Sequence, residues 1–145
     1  MLKSKKINIG ISIGDPNGIG IEIILKVLSE SHLYEECNFI IYSSLDLIVK
    51  QQDFFKITTL PLKKIDSLDK IVSDHINIKE VFSSSKFEFG KNDKEISANG
   101  IISFKEAVED AKSKKIDILI TAPINKSLSY SSSFKFLGHT DYLKN

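Results

Sequence analysis

The chain has 145 residues, 41% apolar and 27% charged, with a formal net charge of +1. That is enough chain for one ordinary domain with its own core, and it excludes the strongly basic surface that holds nucleic acid or anionic membranes. All 20 basic residues are lysines, which removes any arginine fork for bidentate carboxylate or phosphate binding.

Ile7-Asn-Ile-Gly-Ile-Ser-Ile13 places isoleucine at every second position, the period of a strand. Gly14-Asp-Pro-Asn-Gly-Ile-Gly20 reads as a turn, with Asn17 or Gly18 expected at positive φ, and Ile21–Leu28 as a helix with a broad apolar face. Asn38–Tyr42 reads as a second strand. Ser44 is placed to cap a helix reaching Gln51. The stretch of about 61–96 is the least regular: a short helix over Asp66–Asp74, a strand over Asn77–Phe82 and loops rich in Ser and Gly. It is expected to be an excursion or an element of a second domain. Ser97 is expected to cap a helix over Ala98–Lys114 whose stripe is Ile101, Phe104, Val108 and Ala111, with Gly100 marking a close approach. Asp117–Thr121 reads as a strand buried on both faces. Strands alternating with helices mean an α/β fold with a largely parallel sheet flanked by helices.

Cys37 is the sole cysteine, which excludes an internal disulfide and fits a reducing cytoplasm. The start, Met1–Lys6, is basic but is not followed by a secretory apolar region, and no run is long enough to span a membrane. A cytoplasmic protein without membrane or nucleic-acid partners is expected. His32 and His75 lie in polar contexts without metal-ligand spacing.

Three motifs carry chemistry. The Gly14–Gly20 turn is open to two readings, an anion cradle at a helix N-terminus or a well-made turn; it has neither the lysine of a P-loop nor dinucleotide-fingerprint spacing. Asp15 within it is a candidate for orienting a substrate. Thr121-Ala-Pro-Ile-Asn-Lys126 sets a hydroxyl, an amide and an ammonium just past a hydrophobic strand, where an α/β enzyme binds ligands. Lys126 is the candidate catalytic residue: it can hold an anionic group or, if burial lowers its pKa, polarise a hydroxyl being oxidised. Gly138-His-Thr-Asp-Tyr142 offers His139 and Thr140, or simply a capped helix start.

Together with Ser97-Ala-Asn-Gly100, these motifs in this order resemble the 4-hydroxythreonine-4-phosphate dehydrogenase (PdxA) family of vitamin B6 biosynthesis. The resemblance implies a fold similar to the isocitrate and isopropylmalate dehydrogenases. It also implies a homodimeric, metal-dependent enzyme that uses NAD or NADP to oxidise the secondary hydroxyl of a phosphorylated 4-hydroxy-threonine, with decarboxylation following. Substrate-binding roles map by resemblance to His139 and Thr140, and Lys126 is carried as a pocket residue. The divalent metal's histidine ligands and the cofactor-binding part lie downstream of the Gly-His-Thr motif in that family, so neither is expected within this chain. Residues 1–145 are therefore expected to be the N-terminal portion of such a dehydrogenase, inactive alone. The alternative is a non-catalytic module that binds phosphorylated ligands or a partner.

Overall fold

The protein is described by a computed structural model over residues 5–30, 32–126 and 139–144. In chain order its strands are β1 (Ile7–Ser12), β2 (Cys37–Ser43), β3 (Leu62–Ile65), β4 (Ile76–Glu80) and β5 (Ile118–Thr121). The helices are α1 (Gly20–Ser29), α2 (Leu45–Phe55), α3 (Lys94–Lys112) and the short α4 (His139–Leu143). The strands form one sheet in the order β3-β4-β2-β1-β5, and every pairing is parallel.

The period of two in β1 decides how the layers form. Ile9, Ile11 and Ile13 point to one face, where they pack with Ile21, Leu25 and Leu28 of α1 and Leu47 and Ile48 of α2. Gly10 points to the other face, close against Ile116 and Tyr42, beneath α3, whose Ala107 packs with Ile40, Tyr42 and Ile116. Each fully buried Ile or Leu contributes roughly 1.5–3 kcal/mol relative to exposure. α2 starts as its sequence directs: the Ser44 hydroxyl accepts from the Leu47 N–H, 3.1 Å.

Beneath α3 lies a buried polar knot. The Tyr42 hydroxyl donates to Asp110 Oδ2, 2.8 Å, and Lys79 Nζ lies 2.8 Å from the same oxygen. Burial, then the hydrogen bond to the Asp110 carboxylate, drives the Tyr42 pKa far above its usual value. The knot ties α3 to β2 and β4.

Several expectations are corrected. The 61–96 stretch is not an irregular excursion throughout: it adds β3 and β4 to the sheet, and the regular structure resumes at α3. The helix expected over Asp66–Asp74 is a single 3-10 turn at Leu68–Lys70. α3 begins one turn earlier than expected, capped by Asp93, whose Oδ1 accepts from the Ile96 N–H at 3.0 Å, so Ser97 lies inside the helix. β5 is not buried on both faces: it is an edge strand, with Ile118 45% and Ile120 47% exposed. Its unbroken apolar run looks the same in sequence whether the strand is central or at an edge. Among the described residues no helix is long and apolar enough to cross a membrane.

Candidate functional site

The site forms at the carboxyl end of β1, where three distant segments close on one another. Gly14 takes φ +70°, and a Cβ there would sit 2.2 Å from the Pro123 carbonyl oxygen. Only glycine combines that conformation with that approach. Neither Asn17 nor Gly18, the expected positions, has positive φ. Gly100 on α3 faces the turn from the other side, where a Cβ would lie 2.3 Å from the Gly14 oxygen. Gly20 is as tight, with the Ile13 oxygen 2.5 Å from its would-be Cβ. The expected close approach at Gly100 is thus one of backbone on backbone.

Hydrogen bonds fix the same joint. The Asp15 N–H donates to the Pro123 carbonyl, 3.0 Å, and the Gly18 N–H to the Asp15 carbonyl, 2.9 Å. Asp15 is buried. Its Oδ1 accepts from the Asn17 N–H, 2.9 Å, and its Oδ2 from the Ser97 hydroxyl, 2.7 Å. Gln51 of α2 donates to the Pro16 carbonyl, 2.9 Å. The Ile13 N–H donates to the Ser103 hydroxyl, which donates in turn to the Tyr42 carbonyl. The amides of Asp15, Asn17 and Gly18 have protein acceptors, and backbone presses on Gly14 and Gly20, so this part of the turn serves as a packing joint.

Beside the joint opens a cavity of about 410 Å³, lined by Asp15, Asn17–Gly20, Gly90–Asn92 and Pro123–Asn125. Asn17 was not foreseen as a site residue. Its Nδ2 donates to the Lys91 carbonyl, 2.9 Å, its Oδ1 accepts from the Glu88 N–H, and its carbonyl accepts from the Gly90 N–H, 3.2 Å. Across the cavity Asn125 Nδ2 donates to Asn92 Oδ1, 3.1 Å. No local sequence pattern signals these pairings, which span 33 to 74 residues. Lys91 is ion-paired with Glu88 at 2.6 Å, and that hydrogen bond raises its pKa.

The sequence candidates fare unequally. Asp15 lines the cavity. Lys126 is exposed. Thr140 is exposed on α4, and the His139 side chain lies outside the described residues. α4 rests on α3 through Tyr142, whose ring meets Phe104 edge-on at 5.3 Å. The serine-rich stretch at 129–133 also falls outside the described residues.

Among the described residues no group of three or more His, Cys, Asp or Glu is placed to hold an ion.

Residues 35–145 match the family model described as pyridoxal phosphate biosynthetic protein PdxA. The chain belongs to the PdxA family. It is 34% identical over 137 residues to a 4-hydroxythreonine-4-phosphate dehydrogenase of Sulfurihydrogenibium, covering 94% of this chain and 42% of that protein. It is 32% identical over 152 residues to a putative D-threonate 4-phosphate dehydrogenase of Clostridium botulinum, covering 99% and 43%. A solved structure of a putative 4-hydroxythreonine-4-phosphate dehydrogenase from Salmonella typhimurium matches with TM-score 0.81 and 26% identity, covering 96% of this chain and 44% of that one. The chain therefore spans less than half the length of these relatives, and its fold is shared with the Salmonella structure.

Proposed function

We propose that this PdxA chain supplies substrate-holding surface for the NAD- or NADP-dependent oxidation of a 4-phosphorylated hydroxy acid. The leading substrate is 4-phosphooxy-threonine on the way to pyridoxal phosphate. The observation that carries the reading is the cavity at the joint of Gly14, Gly100 and Pro123, in a chain whose relatives are named for phosphorylated threonine and threonate. Asp15 is proposed to orient the substrate. Each of its oxygens keeps a second lone pair after accepting from Asn17 and Ser97, enough to receive a substrate ammonium or hydroxyl. His139 and Thr140 are proposed to contact the substrate and Lys126 an anionic group of it. The nicotinamide cofactor, when bound, accepts the hydride. A divalent metal belongs to the proposal through the family resemblance, but the described residues do not provide its centre. Homodimeric, cytoplasmic assembly is part of the same reading.

The test is calorimetric titration of the chain with 4-phosphooxy-threonine and with D-threonate 4-phosphate, alongside NAD(P)H formation with a divalent cation present. Saturable binding of either ligand supports the pocket, and preference between them sets the substrate. Binding without NAD(P)H formation is the outcome expected of a substrate-holding portion by itself, and NAD(P)H formation would contradict the expectation that residues 1–145 are inactive alone. Absence of binding to both contradicts the reading.

A further inference from the structure

The segment that walls the cavity opposite the joint is held from both ends and pinned in the middle. Phe87 and Phe89 anchor one end on α2: Phe89 meets Phe54 and Phe55 at 5.2 and 5.4 Å between centroids, and Phe87 meets Phe54 at 6.3 Å. Asn92 reaches Asn125 at the other. In between the chain reverses at Gly90, with φ +78° and nothing within 4 Å of a would-be Cβ. The Lys91–Glu88 ion pair within it is two-thirds exposed and holds little. Asn17 is different. It is 95% buried, being only 5% exposed, and it satisfies both ends of its side-chain amide and its own carbonyl on Glu88, Gly90 and Lys91 of the strap.

We infer that Asn17 is a positioning residue that latches the strap 87–92 onto the Gly14–Gly20 turn, and so sets the cavity wall formed by Gly90, Lys91 and Asn92. The ligand named in its test rests on the functional reading above; the latch itself does not. A buried amide that loses its partners leaves the strap's polar groups unsatisfied, so release of the strap follows from removing one side chain. The sheet does not depend on it.

The Gly90 N–H distinguishes a latch from a mere partner. It donates to the Asn17 backbone carbonyl, which Asn17→Ala retains, so it is freed only if the strap itself lets go. The experiment is residue-resolved amide exchange on the full chain, with Asn17→Ala and Gly90→Ala, the second straining the strap while keeping the Asn17 side chain. The latch predicts that in Asn17→Ala both the Glu88 and the Gly90 amides quicken at least about tenfold, as loss of two hydrogen bonds implies, while amides of β1, β2 and β4 keep their rates. Both variants should weaken 4-phosphooxy-threonine binding by a similar factor with only a small fall in thermal midpoint, and Asn17→Asp, which retains the acceptor for Glu88, should recover part of the affinity lost in Asn17→Ala. Quickening at Glu88 alone overturns the latch. Quickening across the sheet overturns it too, since Asn17 would then act on global stability. Release of the strap with undiminished affinity overturns the positioning role. Failure of the unaltered chain to bind 4-phosphooxy-threonine overturns the functional reading instead, and the exchange rates then decide the latch alone.

Discussion

At one edge of the sheet β3 presents Lys63 and Lys64 to solvent; at the other β5 presents Ile118 and Ile120. The β3 edge is blunted by charge, which discourages pairing with another strand. It is also tied inward, since Lys64 pairs with Glu80 at 2.8 Å and Glu80 accepts from the Leu45 N–H at the start of α2, 3.0 Å. The β5 edge exposes Ile118 and Ile120, yet just past its carboxyl end Pro123 packs against Gly14 with no room for a Cβ. Charge thus finishes the β3 edge. Backbone fit, which tolerates no extra atom, finishes the edge beside the cavity.

The largest expected effect breaks the clamped end. Gly100→Ala drives a methyl against the Gly14 carbonyl, which cannot swing aside as a side chain could, and should cost about 3 kcal/mol or more. Gly90→Ala, in open space, should cost only the left-handed penalty of about 1 kcal/mol. Equal denaturation midpoints for the two variants would show that the clamp is not tight.

Tyr42→Phe probes how α3 is fastened on the β4 side. It leaves the buried Asp110 carboxylate paired with Lys79 and should cost about 1–2 kcal/mol by chemical denaturation. No loss would mean that Lys79 alone satisfies the carboxylate.

At the charged edge the sign of the pH dependence is fixed. The hydrogen bond from Lys64, followed by that from the Leu45 amide, holds the Glu80 pKa below its usual value. Its contribution is therefore fully present above the ordinary glutamate range and is lost as pH falls through the lowered pKa. Glu80→Gln, which keeps an acceptor for the Leu45 N–H, should cost about 0.5 kcal/mol at neutral pH, and the gap from the unaltered chain should close in acid. A gap that persists at low pH contradicts the assignment.

The smallest effect is expected at the bare edge. Replacing Ile118 and Ile120 together by threonine should change stability by no more than about 0.5 kcal/mol, because neither is buried, while reducing self-association in light scattering. A large loss of stability would show that these side chains are covered.

How much of this was legible follows from what each signal encodes. The alternation of Ile7–Ile13 and the Ser44 cap are local, and both appear where they were read. β3 was missed because Leu62-Lys-Lys-Ile65 hides two edge lysines inside a four-residue strand. The start of α3 was misplaced because Asp93 and Ser97 are both good caps. The structure uses Asp93 and frees Ser97 to reach Asp15 across 82 residues. The motif glycines were visible, but their purpose was not, since a close approach needs a partner that only the fold supplies. Asn17 was passed over for the same reason: its partners on the strap lie more than 70 residues away.

The most direct test of the account is an NMR titration of the chain with 4-phosphooxy-threonine, read at each backbone amide. The account predicts saturable shifts confined to Asp15–Gly20, Gly90–Asn92 and Pro123–Asn125, around the joint of Gly14, Gly100 and Pro123. Shifts that do not saturate, or that centre on the β3 edge or the outer face of β5, would contradict it.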